Sequence, residues 1–292
     1  MSGKKSSEKE IKKRSMTGEV MSRLIYNKGA MLGTAILLVV VVMCVFAPII
    51  APYDYDAQDV SLKFLTPSLQ HLCGTDNLGR DIFSRLLYGG RISLMIGFVA
   101  TAIAAVLGII LGAVSGYFGG KVDSVIMRVL DVSMALPNLL LAIAISAMMG
   151  SGIRSAIIAV GISSTPKFAR LIRGPVLSIR NQEFIEAATA IDASNARIIF
   201  RHILPNVLSP IIVQCTLSVG NAIIAAASLS FLGLGVQPPY PEWGAMLSSA
   251  RTYIVDHAYM VTFPGLAIAL VVVSVNLLGD GLRDAMDPRL KK

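Results

Sequence analysis

The stretch Asn181-Gln-Glu-Phe184-Ile-Glu186-Ala187-Ala188-Thr-Ala-Ile-Asp192-Ala-Ser194-Asn-Ala-Arg197-Ile-Ile-Phe-Arg201-His-Ile-Leu-Pro205-Asn206 decides how this chain is read. It sits between two apolar stretches, at about 153–172 and 206–234, and is dense in Arg. Two short helices are expected in it. The first, 182–191, is made of good helix formers and pairs Phe184 with Ala187 and Ala188. The second, 193–203, sets Arg197 and Arg201 one turn apart, with Asp192 and Ser194 as candidate N-caps and Pro205 as its end. Two helices joined at a corner make a compact knob. Ala187 and Ala188 are small enough to enter a groove on a partner, and Glu186 offers a charge to orient the contact. The plainer alternative is an amphipathic surface helix with solvated arginines.

Around this loop the chain is too apolar for a soluble fold. Of its 292 residues 54% are hydrophobic and 15% charged, where soluble domains carry about 25% charged residues. A polytopic membrane protein is expected. The net charge of +8 could suggest nucleic acid, but cytoplasmic loops of membrane proteins collect Lys and Arg, so no nucleic-acid partner is expected. Cys44, Cys73 and Cys215, like His71, His202 and His257, are scattered without metal or disulfide spacing. No metal site follows from them. The apolar run 30–50 is 21 residues long, longer than the ~7–15 of a signal peptide, and no small-residue cleavage site follows it. It reads as an anchor that stays.

Apolar stretches fall at about 30–50, 92–118, 129–150, 153–172, 206–234 and 259–279. The fourth is the short one, because only 155–166 separates Arg154 from Lys167. With six crossings and a cytoplasmic N-terminus, 20 Lys and Arg fall inside and 6 outside. If the fourth stretch does not cross, the division becomes 11 inside against 15 outside. The positive-inside bias selects six spans with both termini cytoplasmic, and Arg154 and Lys167 then snorkel to opposite interfaces. The expected layout is a basic segment 1–28, a first anchor 29–50, an external loop 51–91, a core 92–280 with five spans and the loop 181–206, and a cytoplasmic tail 281–292.

The second span repeats Ala104, Gly108, Gly112 and Gly116 every four residues, which is a helix-packing seam. In the fifth, Gln214, Ser218, Asn221, Ala225 and Ser228 share one face. Such a stripe avoids lipid and serves as packing glue or lines a pathway. Asn138, next to Pro137 in the third span, can satisfy a carbonyl freed by a proline kink. Outside the spans, 78–88 reads as an amphipathic surface helix with an Asp81–Arg85 pair. The Pro-rich segment holding Pro239, Tyr240, Glu242 and Trp243 offers an interfacial anchor or a contact for an external partner.

Glu186-Ala-Ala, six residues to Asp192, and Ile203-Leu-Pro205-Asn together resemble the EAA loop of ABC importer permeases. The external run His71-Leu-Cys-Gly-Thr-Asp76-Asn-Leu-Gly79-Arg80-Asp81, the segment Ser228-Leu-Ser-Phe-Leu-Gly-Leu-Gly235, Pro241-Glu-Trp-Gly-Ala-Met-Leu247 and Asn276-Leu-Leu-Gly-Asp280 through Pro288 extend the likeness. They resemble the C-type permease subunit of dipeptide, oligopeptide and nickel importers. Only the N-terminal 28 residues fall outside the resemblance. It implies an all-α membrane protein with the type I ABC importer permease fold, and a coupling loop carried by Phe184, Glu186, Ala187, Ala188, Asp192, Arg197, Arg201 and Pro205. It also implies a second permease subunit, two ATP-binding subunits and an extracytoplasmic substrate-binding protein. ATP and Mg belong to the ATPase partners, and no cofactor is expected on this chain. Two positions depart from the pattern: Asp192 stands where Gly is usual, and Cys73 where a plain apolar residue is usual. Gly takes positive φ freely and Asp does so at some cost, so the turn is expected to persist.

The chain has no G-x-x-x-x-G-K-[ST] phosphate loop and no nucleophile–base cluster. The reading is therefore a non-catalytic subunit that alternates access while ATP is used elsewhere, with di- or oligopeptides as cargo and nickel as the alternative. A secondary transporter or channel would instead call for charges deep in several spans or inverted repeats, and a structural scaffold would not need the loop. A topology reporter fused after Arg180 is expected to behave as cytoplasmic, and one fused after Trp243 as external. The opposite result at either position ends the six-span layout.

Overall fold

The computed structural model describes residues 16–287. The basic stretch 1–15 and residues 288–292, with their share of the positive charge expected to be cytoplasmic, lie outside the described residues. The principal helices are α1 (Met16–Tyr26), α2 (Lys28–Val45), α3 (Ile82–Phe118), α4 (Gly120–Ala135), α5 (Asn138–Met149), α6 (Ile153–Arg180), α7 (Glu183–Ala190), α8 (Leu208–Phe231), α9 (Trp243–Ala250) and α10 (Tyr259–Met286). No β-strand occurs among the described residues, apart from an isolated bridge between Thr75 and Asp81.

Four helical runs are long and apolar enough to cross a bilayer: α2, α3, Asn195–Phe231 and α10. The pair α4 and α5 makes a fifth if taken together, but the two are bent by 92°. The third apolar stretch is therefore a broken element and not one kinked helix. Pro137 caps α5 at the break, because the residue before a proline is driven out of the helical region. The fourth stretch is one helix, α6, of 28 residues, about 42 Å long. Its polar residues keep it below the hydropathy of a lipid-facing span, yet it lies along α3 and is largely covered by protein.

That pairing is where the glycine repeat goes. A Cβ on Gly108 would overlap the Phe168 Cβ. One on Gly112 would stand 2.5 Å from the Ala169 carbonyl oxygen, and one on Gly116 2.8 Å from the Val176 Cγ1. Ala104 closes the same face, fully buried. The matched residue numbers rise together, so α3 and α6 run parallel. Between them the seam buries Phe168, Ala169, Ile172 and Val176 to 1% exposure or less. Elsewhere the partners are antiparallel: Gly33 of α2 meets Ser274 of α10, Gly97 of α3 meets Ile223 of α8, and Gly279 of α10 meets Leu217 of α8. The relative directions are those of helices that cross alternately.

The external segment departs from the expected surface helix. Asp81 N-caps α3, accepting from the Ser84 N–H at 2.7 Å, and the helix then continues without a break to Phe118. Asp81 and Arg85 do not pair. Asp81 meets His71 Nδ1 at 3.0 Å, while Arg85 lies 3.8 Å from Asp76 and donates to the Tyr55 carbonyl at 2.8 Å. Arg80 Nε donates to Asp76 at 2.7 Å. These side chains are buried, so they form the interior of a plate at the N-terminal end of α3. Burial, and then Arg80, pull the Arg85 guanidinium down to about 10, which leaves it charged at neutral pH. Burial, and then Asp81, push the Cys73 thiol up to about 11, so it stays protonated and unreactive.

Gly112 and Gly265 separate packing from propensity. Gly112→Ala is expected to cost about 1–3 kcal/mol through overpacking against the α6 backbone. At Gly265 of α10, where a Cβ meets nothing within 4 Å, the same change is expected to be neutral or stabilising by up to ~1 kcal/mol. Thermal unfolding of the two detergent-purified variants checks the contrast.

Candidate functional site

Three regions carry the candidate residues. The first is the knob 181–206. α7 is amphipathic in a form the linear sequence does not separate. Ile185 and Ala188 point inward, at 3% and 6% exposure, into a cluster with Ile172 and Val176 of α6 and with Ile198, Ile203 and Val207. Phe184, Ala187 and Ile191 form the opposite, exposed face. The expected docking pair Ala187 and Ala188 is thus divided: Ala187 is open and Ala188 belongs to the knob's own core. Glu186, Arg197 and Arg201 are exposed. Ile191 and Phe200, 81% and 68% exposed, are apolar outward residues that sequence reading passed over, although Ile191 follows Phe184 and Ala187 at helical spacing.

Asp192 adopts φ 58°, the left-handed conformation that a glycine would take at no cost. Its N–H donates to Thr189 O at 3.0 Å and the Ala193 N–H to Ala188 O at 3.1 Å. Those two bonds are a Schellman motif closing α7. Asp192 therefore terminates the first helix. The cap of the second piece is Ser194, whose Oγ accepts from the Arg197 N–H. Pro205 does not end the unit. Helix continues from Asn195 to Phe231, passing through a π segment at Ile198–Ile203 and a 3₁₀ turn at Leu204–Val207. The Leu204 N–H reaches back to Ile199 O, and the widened turn makes room for the proline ring against the preceding carbonyls. Tyr117 at the end of α3 donates to Asn195 Oδ1 at 2.9 Å, tying the knob to a second span.

The second region is a cleft of about 660 Å³ between the α4–α5 break, α6 and α8. Asn138 comes from the break, Ser163 and Lys167 from α6, and Ser218, Asn221 and Ser228 from α8. Asn138 and the α8 stripe, far apart in sequence, thus share one cavity. Gln214 lies under its wall, donating to Ser218 Oγ at 2.8 Å. The Asn221 amide and the Ser228 hydroxyl turn back to carbonyls of their own helix, Leu217 at 3.3 Å and Ile224 at 2.8 Å. Their remaining polar capacity faces the cavity. Lys167, expected to snorkel to an interface, lines this cleft.

The third region is the Pro-rich segment that leads into α9. Pro239 and Tyr240 are exposed. Glu242 and Trp243, expected to be available to a partner or to the membrane interface, are 1% and 2% exposed. Glu242 accepts from Ser93 Oγ at 3.0 Å and from the Ala245 N–H at 2.9 Å, capping α9. The Trp243 indole donates to Leu86 O at 3.0 Å and lies on Gly90, where a Cβ would come within 2.8 Å of the ring. Both residues wedge α9 onto α3 and offer no outward surface. A buried carboxylate needs such donors and a buried indole needs an acceptor, and Ser93 and Leu86 supply them from distant sequence.

Comparison with known proteins follows these observations. Residues 104–292 match the family model of binding-protein-dependent transport system inner membrane components. Residues 15–67 match the N-terminal transmembrane domain of oligopeptide transport permease C, so likeness begins earlier than residue 29. The chain is 48% identical to the dipeptide transport system permease protein of Alkalihalophilus pseudofirmus, covering 94% of this chain and 90% of that one. It is 45% identical to the di/tripeptide transport system permease protein of Pseudomonas aeruginosa, over 94% and 92%. It is 52% identical to the glutathione transport system permease protein of Escherichia coli O157:H7, over 90% and 87%. Among solved structures, an inward-facing MetNI methionine ABC transporter matches with TM-score 0.58 at 19% identity, covering 70% of this chain and 97% of that one.

The left-handed residue at the end of α7 gives a local test. Asp192→Gly is expected to stabilise the knob by about 0.5–1 kcal/mol, and Asp192→Val to destabilise it by about 1–2 kcal/mol. Limited trypsin cleavage at Arg197 and Arg201 reads the local opening and should slow in the first variant and accelerate in the second.

Proposed function

Since this chain belongs to the family of binding-protein-dependent transport system inner membrane components, we propose that it is the permease subunit through which an ABC importer passes short peptides across the inner membrane. The observation that carries this reading is the two-faced knob. Its inner face is packed onto the C-terminal half of α6, and its outer face leaves Phe184, Ala187, Ile191 and Phe200 exposed among the described residues. Exposed apolar residues outside the bilayer mark a protein-binding surface, and an ATP-binding subunit is the occupant that the transport reaction requires. The chain itself contributes no phosphate loop and acts without catalysis; ATP and Mg sit on two such subunits. A second permease faces this one across the cleft, and a substrate-binding protein meets the exposed rim at Pro239 and Tyr240.

The mechanical consequence is direct. When the ATP-binding subunits close, the knob moves with them. The Ile185–Ala188 face carries Ile172 and Val176, hence α6, and α6 forms one wall of the cleft. Rigid elements moving about a fixed central site give alternating access. Six crossings follow if the bent pair α4–α5 counts as one and α6 spans in parallel with α3. A cleft of about 660 Å³ falls in the range of small-ligand sites and suits a di- or tripeptide; the dipeptide, di/tripeptide and glutathione permeases among the relatives support that class.

Two neighbouring alanines test the reading. Ala187→Arg puts a charge on the open face and is expected to weaken copurification of the ATP-binding subunits by about 2 kcal/mol. Peptide uptake should be lost while the variant still inserts and folds. Ala188→Arg places the charge in the knob's interior and is expected to unfold the loop itself, seen as rapid proteolysis. Normal uptake and subunit association in Ala187→Arg would remove the coupling role.

A further inference from the structure

Lys167 is the charged residue in the lining of the cleft, and the transport cycle described above does not use it. It is exposed to the cleft while Thr165, Pro166, Phe168 and Ala169 around it are buried. Its neighbour Phe168 meets Gly108, so Lys167 stands beside the seam of α3 and α6. Along α6 it lies 14 residues from Ile153, about 21 Å. An ammonium within a helical bundle is best accommodated toward a water-filled, protein-lined space.

The surrounding charges leave it unmatched. Arg170 pairs with Asp131, and Arg173 with Asp123. Among the described residues Lys167 has neither ion pair nor hydrogen bond. The other polar groups on the cleft wall, such as Asn138, Ser163, Ser218 and Asn221, are neutral. The cavity therefore offers one positive charge among neutral donors and acceptors, and an anionic group is the complement it lacks. Every unblocked peptide brings one such group regardless of its side chains.

We propose that Lys167 receives the C-terminal carboxylate of the transported peptide inside the cleft. This deepens, and rests on, the peptide-importer reading. A single charge-assisted contact, shared by all peptides, would orient the cargo without reading its side chains.

The test uses the complete transporter in vesicles, with both permeases, its ATP-binding subunits and loaded binding protein, and follows uptake of a labelled dipeptide. Absence of uptake by the unaltered transporter would count against the peptide reading itself. Given that uptake, Lys167→Gln is expected to lower it ~10-fold or more, with Lys167→Arg retaining most of it. In Lys167→Cys, attachment of an aminoethylthio group should restore transport and a sulfonatoethylthio group should not. Equilibrium binding to the solubilised transporter without binding protein should favour the dipeptide over its C-terminal amide. Lys167→Gln should abolish that preference. Unchanged uptake in Lys167→Gln overturns the proposal, as does a carboxylate preference that is absent in the unaltered protein or survives the substitution. Loss of the second permease from purified Lys167→Gln also overturns it, assigning Lys167 to an ion pair between subunits.

Discussion

The close approach of α3 and α6 is the constraint on which the rest of the structure depends. Two helix backbones meet along Gly108, Gly112 and Gly116 because no side chain stands between them. Within a bilayer, apolar residues gain little from leaving lipid for protein, so association rests on van der Waals contact and close backbone approach. The seam supplies both. It also lets a helix as polar as α6 occupy the membrane, since its polar positions turn toward protein and the cleft.

α6 then joins the cleft to the knob. Its middle contributes Ser163 and Lys167 to the cavity, and its C-terminal third contributes Ile172 and Val176 to the core of the knob. A displacement at the knob cannot be absorbed in a flexible joint, because α7 is closed by a Schellman motif and the second piece of the loop continues as helix into α8. The π segment at Ile198–Ile203 is the irregular part of that continuous path. Trp243 and Glu242 lock α9 against α3, so the plate at the N-terminal end of α3 and the seam are parts of one body.

Much of this was legible in the residues alone, for identifiable reasons. The glycine repeat announced a seam because four-residue spacing has one geometric meaning on a helix. The α8 stripe and Asn138 stood out because polar groups are costly against lipid. The left-handed turn at Asp192 was foreseen from the usual glycine at that position. Other features depended on partners remote in sequence. Glu242 and Trp243 looked available within a Pro-rich segment, and only Ser93 and Leu86 reveal why they are interior. Asp81 and Arg85 have the spacing of a pair, yet His71 and Asp76 compete for them. Ala187 and Ala188 differ in role because of where Ile198 and Val176 lie. Lys167 looked like the boundary of a short span, and only the fold brings it onto one cleft wall with Asn138 and Asn221.

The seam also has a consequence for biosynthesis. Gly108 and Phe168 are roughly 60 residues apart, and at about 5–20 residues per second the ribosome needs roughly 3–12 s to bridge that interval. During that wait α3 is already made and its glycine face has no mate. The bent pair α4–α5 is synthesised in between and must leave that face vacant for the later arrival. A nascent chain built this way assembles out of order: the helix made second finds its principal neighbour in the helix made fourth, and the insertion machinery has to tolerate an unpaired groove until then.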